Sequence, residues 1–187
     1  FRDPRAFKTD APSRGSLPRD FLIAEHSADA HAEALAQRSS IYNDFNLVLW
    51  DGAKACVFAS RGIYSAEINP GISAVSNHLL NTPWPKVVRS KANLAGLLAQ
   101  PGALQRDAIF ALLRDRSPAR DDELPQTGVA LTLERELSPI FITREAYGTR
   151  CSTLVTIDRN GHLEFEERGY APGVALQHVS RQHMNLR

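Results

Sequence analysis

Phe45-Asn46-Leu47-Val48-Leu49-Trp50 leads into Asp51-Gly52 and returns as Lys54-Ala55-Cys56-Val57-Phe58-Ala59-Ser60. Asp-Gly between two apolar runs is hairpin-turn chemistry, because these residues tolerate the positive φ that a tight turn requires. Successive strand residues alternate between faces, so Phe45, Leu47 and Leu49 lie on one side and Val48 and Trp50 on the other. Apolar groups on both sides imply a sheet covered twice. Such an antiparallel sheet needs a layer above and a layer below, which excludes a simple two-layer α+β domain.

Downstream, Arg61-Gly62 turns the chain, Tyr64 to Ile68 follows, and Asn69-Pro70-Gly71 is a second turn. Ile72 to Val75 then reads as a short strand ending in Ser76, Asn77 and His78. Thr82 is placed to cap a helix with Pro83 at its first position, so the helix is predicted to start near Trp84. Its stripe is Trp84, Val87, Val88, Lys91, Leu94, Ala95 and Leu98, stopped by Pro101-Gly102. A polar triplet held between two rigid elements suits a side-chain amide that donates from a fixed position. Asn77 is therefore a candidate donor, its plainer role being to end a strand.

Upstream, Leu17, Phe21 and Leu22 predict a short helix to about Glu25, and Ser27 caps a second one over 28–38. Ala28, Ala32 and Leu35 form its apolar stripe, while His26 and His31 read as surface histidines. Beyond the middle of the chain a helix is expected from Leu104 to about Asp115, burying Ala108, Leu112 and either Ile109 or Phe110. Residues 116–128 read as a polar surface loop, 129–137 as a short helix, and 138–142 as extended chain. A β-branched run ending at Ile157-Asp158, the Asn160-Gly161 turn, and Leu163 and Phe165 alternating with polar residues predict a second hairpin. From Gly169 onward no period stands out.

At 187 residues and 43% hydrophobic content, one domain with one substantial core is the expectation. The 22 basic and 21 acidic residues are interspersed and leave a net charge of +1, so nothing here attracts nucleic acid or anionic lipid. Cys56 and Cys151 suit free thiols in a reducing compartment, hence a cytoplasmic protein, and no Cys/His spacing resembles a metal site. No apolar run reaches the roughly 18 residues of a membrane span. The chain opens on Phe1 and its one methionine is Met184, so a natural beginning upstream of Phe1 is expected.

Five words in order resemble the NRDE family, the group that includes the transport and Golgi organisation protein of animals. They are Phe1-Arg2-Asp3-Pro4, Ser13-Arg14-Gly15, Tyr42-Asn43-Asp44-Phe45-Asn46-Leu47, Ser76-Asn77 with Thr82-Pro83-Trp84-Pro85-Lys86, and Tyr147-Gly148-Thr149-Arg150 with Ser152-Thr153. The resemblance implies an α+β fold similar to the N-terminal-nucleophile hydrolases, a four-layer αββα sandwich of antiparallel sheets between helical layers. It also implies a single domain over 1–187 that is incomplete at its N-terminus. The Met-Cys opening and the Asn-Arg-Asp-Glu word of the family are not in this sequence.

By that resemblance, Asn77 and Arg150 are the catalytic candidates, similar to the Asn and Arg of choloylglycine-hydrolase-like amidases. Asn77 would donate to a developing oxyanion, and Arg150 would favour a thiolate or hold a substrate carboxylate with its planar fork. The nucleophile, a terminal Cys in such enzymes, is not in the chain, and Phe1 has no nucleophilic atom. Ser76, His78, Tyr147 and Thr149 are the ligand-binding candidates. A mid-chain rival, Cys151 with His78 as base, has no orienting carboxylate, and a buried structural thiol is the expected role of Cys151.

The family's association with haem mobilisation and with acyl-CoA or lipid implies a carrier of a small amphipathic ligand. Haem would then be cargo, with Cys151, His78 and Tyr147 as candidate ligands by residue type, and no cofactor is required. The carrier is the first reading and C–N bond (amide) hydrolysis the second.

Overall fold

The computed structural model describes residues 7–171 and 175–186. Two small antiparallel sheets and five α-helices among these residues make the chain mixed α+β. They fall into two compact units, Phe1–Lys91 with Pro125–Ala130, and Ala92–Leu124 with Leu131–Arg187.

In the first unit, α1 (Ser16–Ile23) and α2 (Ala28–Arg38) precede a sheet of β1 (Asn46–Trp50), β2 (Ala55–Ala59) and β3 (Tyr64–Glu67) in that order. The hairpin forms as expected, with Leu49 opposite Cys56 and Trp50 opposite Ala55. Ser27 caps α2, its hydroxyl accepting from the Ala30 amide at 3.3 Å. The small residues Ala28 and Ala32, with Leu35, let α2 lie close to Leu49, Cys56 and Phe58 in one core that also holds Leu17, Tyr42 and Phe45. Each fully buried Leu or Phe there contributes about 1.5–3 kcal/mol.

Cover over both faces holds for β2, where Cys56, Val57, Phe58 and Ala59 are all buried, but not for β1. Val48 is 53% and Trp50 41% exposed, because β1 is an edge strand whose second face has no cover among the described residues. Three more expectations need correction in this unit. His31 is buried rather than on the surface, its ring lying edge-on to Phe21 at 5.1 Å. Residues 72–75 form no strand. Ala74 instead exchanges hydrogen bonds with Asn81, whose side-chain oxygen and backbone amide replace a strand partner. The next helix, α3 (Pro85–Leu98), begins at the second proline rather than at Pro83. The Thr82 hydroxyl is spent on the Leu79 carbonyl, so the first carbonyl to accept from α3 is that of Trp84.

The second unit contains α4 (Arg106–Leu113), α5 (Leu131–Glu136), and a sheet of β4 (Cys151–Ile157), β5 (His162–Tyr170) and β6 (Leu176–Asn185). Ile109, Phe110, Phe141 and Tyr170 are buried in it, whereas Ala108 and Leu112 are half-buried. Phe141 meets Tyr170 edge-on at 4.8 Å, and the Arg168 guanidinium lies 3.8 Å from the centre of the Phe110 ring. The strand β6 falls where no period was legible, and Cys151 is exposed rather than buried. No helix of the described residues is long and apolar enough to cross a membrane.

Candidate functional site

The candidates from the sequence sit in two patches, one in each unit. In the first, Asn46 opens β1 and its side-chain Nδ2 donates to the carbonyl oxygens of Ser76 (2.6 Å) and His78 (2.9 Å). The backbone on either side of Asn77 is thereby fixed, while Asn77 itself is exposed. Asn81 closes the segment from below: it adopts φ 58° and accepts from Lys91 Nζ at 2.8 Å. His78 Nδ1 lies 2.8 Å from Thr82 Oγ1, and its ring is 5.7 Å from that of Trp84. Since the Thr82 hydroxyl already donates to Leu79, Nδ1 is the donor in that pair, which leaves Nε2 as the acceptor of neutral His78.

The second patch is built by the loop before β4. The Thr149 amide donates to the Ile142 carbonyl at 2.9 Å, the Ile142 amide donates to Thr149 Oγ1 at 3.0 Å, and Arg144 donates to the Tyr147 carbonyl. This closed loop holds Tyr147 outward, 58% exposed. Gly148 is required at its base, since a Cβ there would lie 2.9 Å from the Ile142 carbonyl oxygen. Arg150 follows, its carbonyl fixed by the Tyr170 amide at 2.8 Å. The Arg150 guanidinium is exposed and makes no ion pair among the described residues. A pocket of about 280 Å³ is lined by this loop, with Ile142, Ala146 and Ala171 as its apolar part and Arg144, Glu145, Tyr147, Thr149 and Arg150 in its polar part.

A family model described as Transport and Golgi organisation 2 matches residues 1–172. The chain belongs to this family.

Relatives within the transport and Golgi organisation 2 family include the mouse Transport and Golgi organization 2 homolog, 28% identical over 172 residues, and the cattle homolog, 29% identical over 172. The human homolog is 27% identical over 171 residues. The matches cover 84–85% of this chain and 62% of each relative, so the chain spans about three-fifths of their length.

Three of the words quoted above knit the first unit together. Arg14 donates to the Asp44 carbonyl at 2.9 Å, and Asn43 exchanges two hydrogen bonds with the backbone of Lys8. Asn46 then links the same word to Ser76 and His78. Phe1-Arg2-Asp3-Pro4 lies outside the described residues.

The structure keeps Ser76, Asn77 and His78 together in the first unit and Tyr147, Thr149 and Arg150 together in the second. Cys151 and His78 belong to different units, and burial together with the Glu167 charge pushes the Cys151 thiol up, away from a reactive thiolate. Among the described residues no three His, Cys, Asp or Glu side chains are gathered to hold a metal ion. Asn46 and Gly148 escaped sequence reasoning. A polar side chain interrupting an apolar strand was the signal for Asn46, and a glycine between Tyr147 and Thr149 was the signal for Gly148.

Proposed function

We propose that this chain carries a small amphipathic ligand, such as haem, an acyl-CoA or another lipid, in the pocket around Tyr147, Thr149 and Arg150. The observation that supports it most is the exposed Arg150 guanidinium, unpaired among the described residues, on a pocket that also offers apolar side chains and the Tyr147 ring. A planar fork without a carboxylate partner is suited to a ligand's carboxylate or phosphate, and the apolar lining to its body. The relatives' name speaks of transport, and ligand carriage is how we read that word for this chain. Cytoplasmic residence belongs to the same reading, as both Cys56 and Cys151 are free thiols.

Titration with haemin and with a fluorescent long-chain acyl-CoA tests it. Saturable binding to one site is expected for one of them, weakened about tenfold in Arg150→Ala, the worth of about 1.4 kcal/mol. An unsaturable response, identical in the variant, would overturn the reading.

Amide hydrolysis is the second reading, favoured by the Asn46 clamp that fixes the backbone around Asn77. The terminal Cys that such enzymes use is not in this sequence, so this chain alone should be inactive towards acylated amides. A form supplied with a terminal Cys should turn them over and lose that turnover in Asn77→Asp, and a panel without turnover by that form removes the reading.

A further inference from the structure

We propose that a second hollow in the same unit binds the phosphate group of a small molecule through Arg116, Arg135 and Arg144. The hollow is about 600 Å³ and lies beyond the end of α4 and beside the last turn of α5, with Pro118 and Pro139 as stiff walls.

Each guanidinium is held from one side. Arg116 lies over the buried Phe141 ring, 5.8 Å from its centroid, and has no ion pair among the described residues. Arg135 gives Nε and Nη2 to Asp121 at 2.9 and 2.6 Å, and Arg144 gives Nε to Glu136 at 2.7 Å. Side chains fixed in this way lose little further freedom when their remaining N–H groups meet a ligand. The Glu136 charge is already matched by Arg144, which leaves Glu145 as the lining carboxylate that opposes an anion. Three forks lining one hollow from different segments suit the several acceptor oxygens of a phosphate better than a single carboxylate, which one fork can satisfy. Arg144 and Glu145 line both hollows, whereas Arg150 lines only the other pocket.

The test is titration of the chain with inorganic phosphate and, separately, acetate, followed by NMR of the arginine side chains. Phosphate should saturate with shifts at Arg116, Arg135 and Arg144. The affinity should fall about tenfold in Arg116→Ala and less in Arg116→Lys, which keeps the charge and loses the fork. Glu145→Gln should tighten it, and Arg150→Ala should leave it unchanged. Arg116 is exposed, so its variants keep the fold, which circular dichroism checks. Equal binding in Arg116→Ala, no saturation at millimolar phosphate, or acetate binding as tightly as phosphate would each overturn the proposal.

Discussion

The side-chain amide of Asn46 donates a 2.6 Å hydrogen bond to the carbonyl oxygen of Ser76, so the first residue of a strand fixes a loop thirty positions away. Its second bond reaches the His78 carbonyl, and its Oδ1 is buried without a partner among the described residues. Asn46→Ala should therefore cost about 2 kcal/mol, two hydrogen bonds at about 1 kcal/mol each. Asn46→Asp should cost more, because a carboxylate would face two carbonyl oxygens with no hydrogen to offer. Urea unfolding reads this as a lower midpoint at unchanged slope. A midpoint like that of the wild type in both variants would show that the sheet does not hold residues 76–78.

Glu166 carries a different kind of prediction. It is 2% exposed, and its carboxylate accepts from Arg181 Nε at 2.9 Å and Arg168 Nε at 2.8 Å. Hydrogen bonding from Arg181, then from Arg168, holds its carboxyl below the usual 4.5, against the effect of burial. A carboxyl depressed in the folded state adds stability that is complete above its unfolded value and disappears as pH falls through the folded one. Wild-type stability should thus drop below about pH 4.5 more steeply than that of Glu166→Gln. At neutral pH the Gln variant should be weaker by about 2 kcal/mol, one charge-assisted pair. Parallel stability curves between pH 5 and pH 3 would contradict this.

These two residues also show how far the sequence could be read. Elements marked by a cap or a turn beside an apolar pattern were legible: α2 capped by Ser27, the β1–β2 hairpin across Asp51-Gly52, and β4–β5 across Asn160-Gly161. The strand β6 was not, because nine of its ten side chains are exposed and no alternation of burial had to be encoded. Residues 72–75 misled for the opposite reason, since their apolar run suggests a ladder that the side chain of Asn81 replaces. Likewise Asn77 was singled out by its place between two predicted elements and Arg150 by the family resemblance, but the Asn46 clamp and the closed loop at Gly148 are contacts that no local spacing announces.

Buried His31 predicts a second pH effect, at higher pH than that of Glu166. Desolvation first, then the charges of Arg38 and His26, push its imidazole below 6.5, while Asp20 pulls the other way. Its Nε2 is buried without a partner among the described residues, so a proton gained there meets no acceptor. Between the unfolded value of 6.5 and the lower folded one, the unfolded chain binds more protons, and stability must fall as the medium is acidified. The loss begins near pH 6.5 and stops growing below the folded value. In His31→Leu this part of the curve should be flat, as followed by thermal unfolding from pH 7.5 to pH 5. A slope equal to that of the wild type would assign the effect to other groups.

The two glycines 148 and 96 separate a backbone requirement from an accident of composition. At Gly148 an added Cβ would lie 2.9 Å from the Ile142 carbonyl oxygen, a backbone atom that the paired bonds to Thr149 hold in place. Gly148→Ala should therefore open the loop at a cost of about 1–3 kcal/mol, the range for overpacking. Because Arg150 lies two residues on, ligand affinity at the pocket should drop with it, although Arg150 itself is unchanged. At Gly96, within α3, an added Cβ meets nothing within 4 Å. Gly96→Ala should instead stabilise by about 0.5–1 kcal/mol, through helix propensity and a less disordered unfolded chain. Denaturation midpoints moving in opposite directions would establish the contrast. If both variants moved alike, the close approach at Gly148 would not be what shapes the loop.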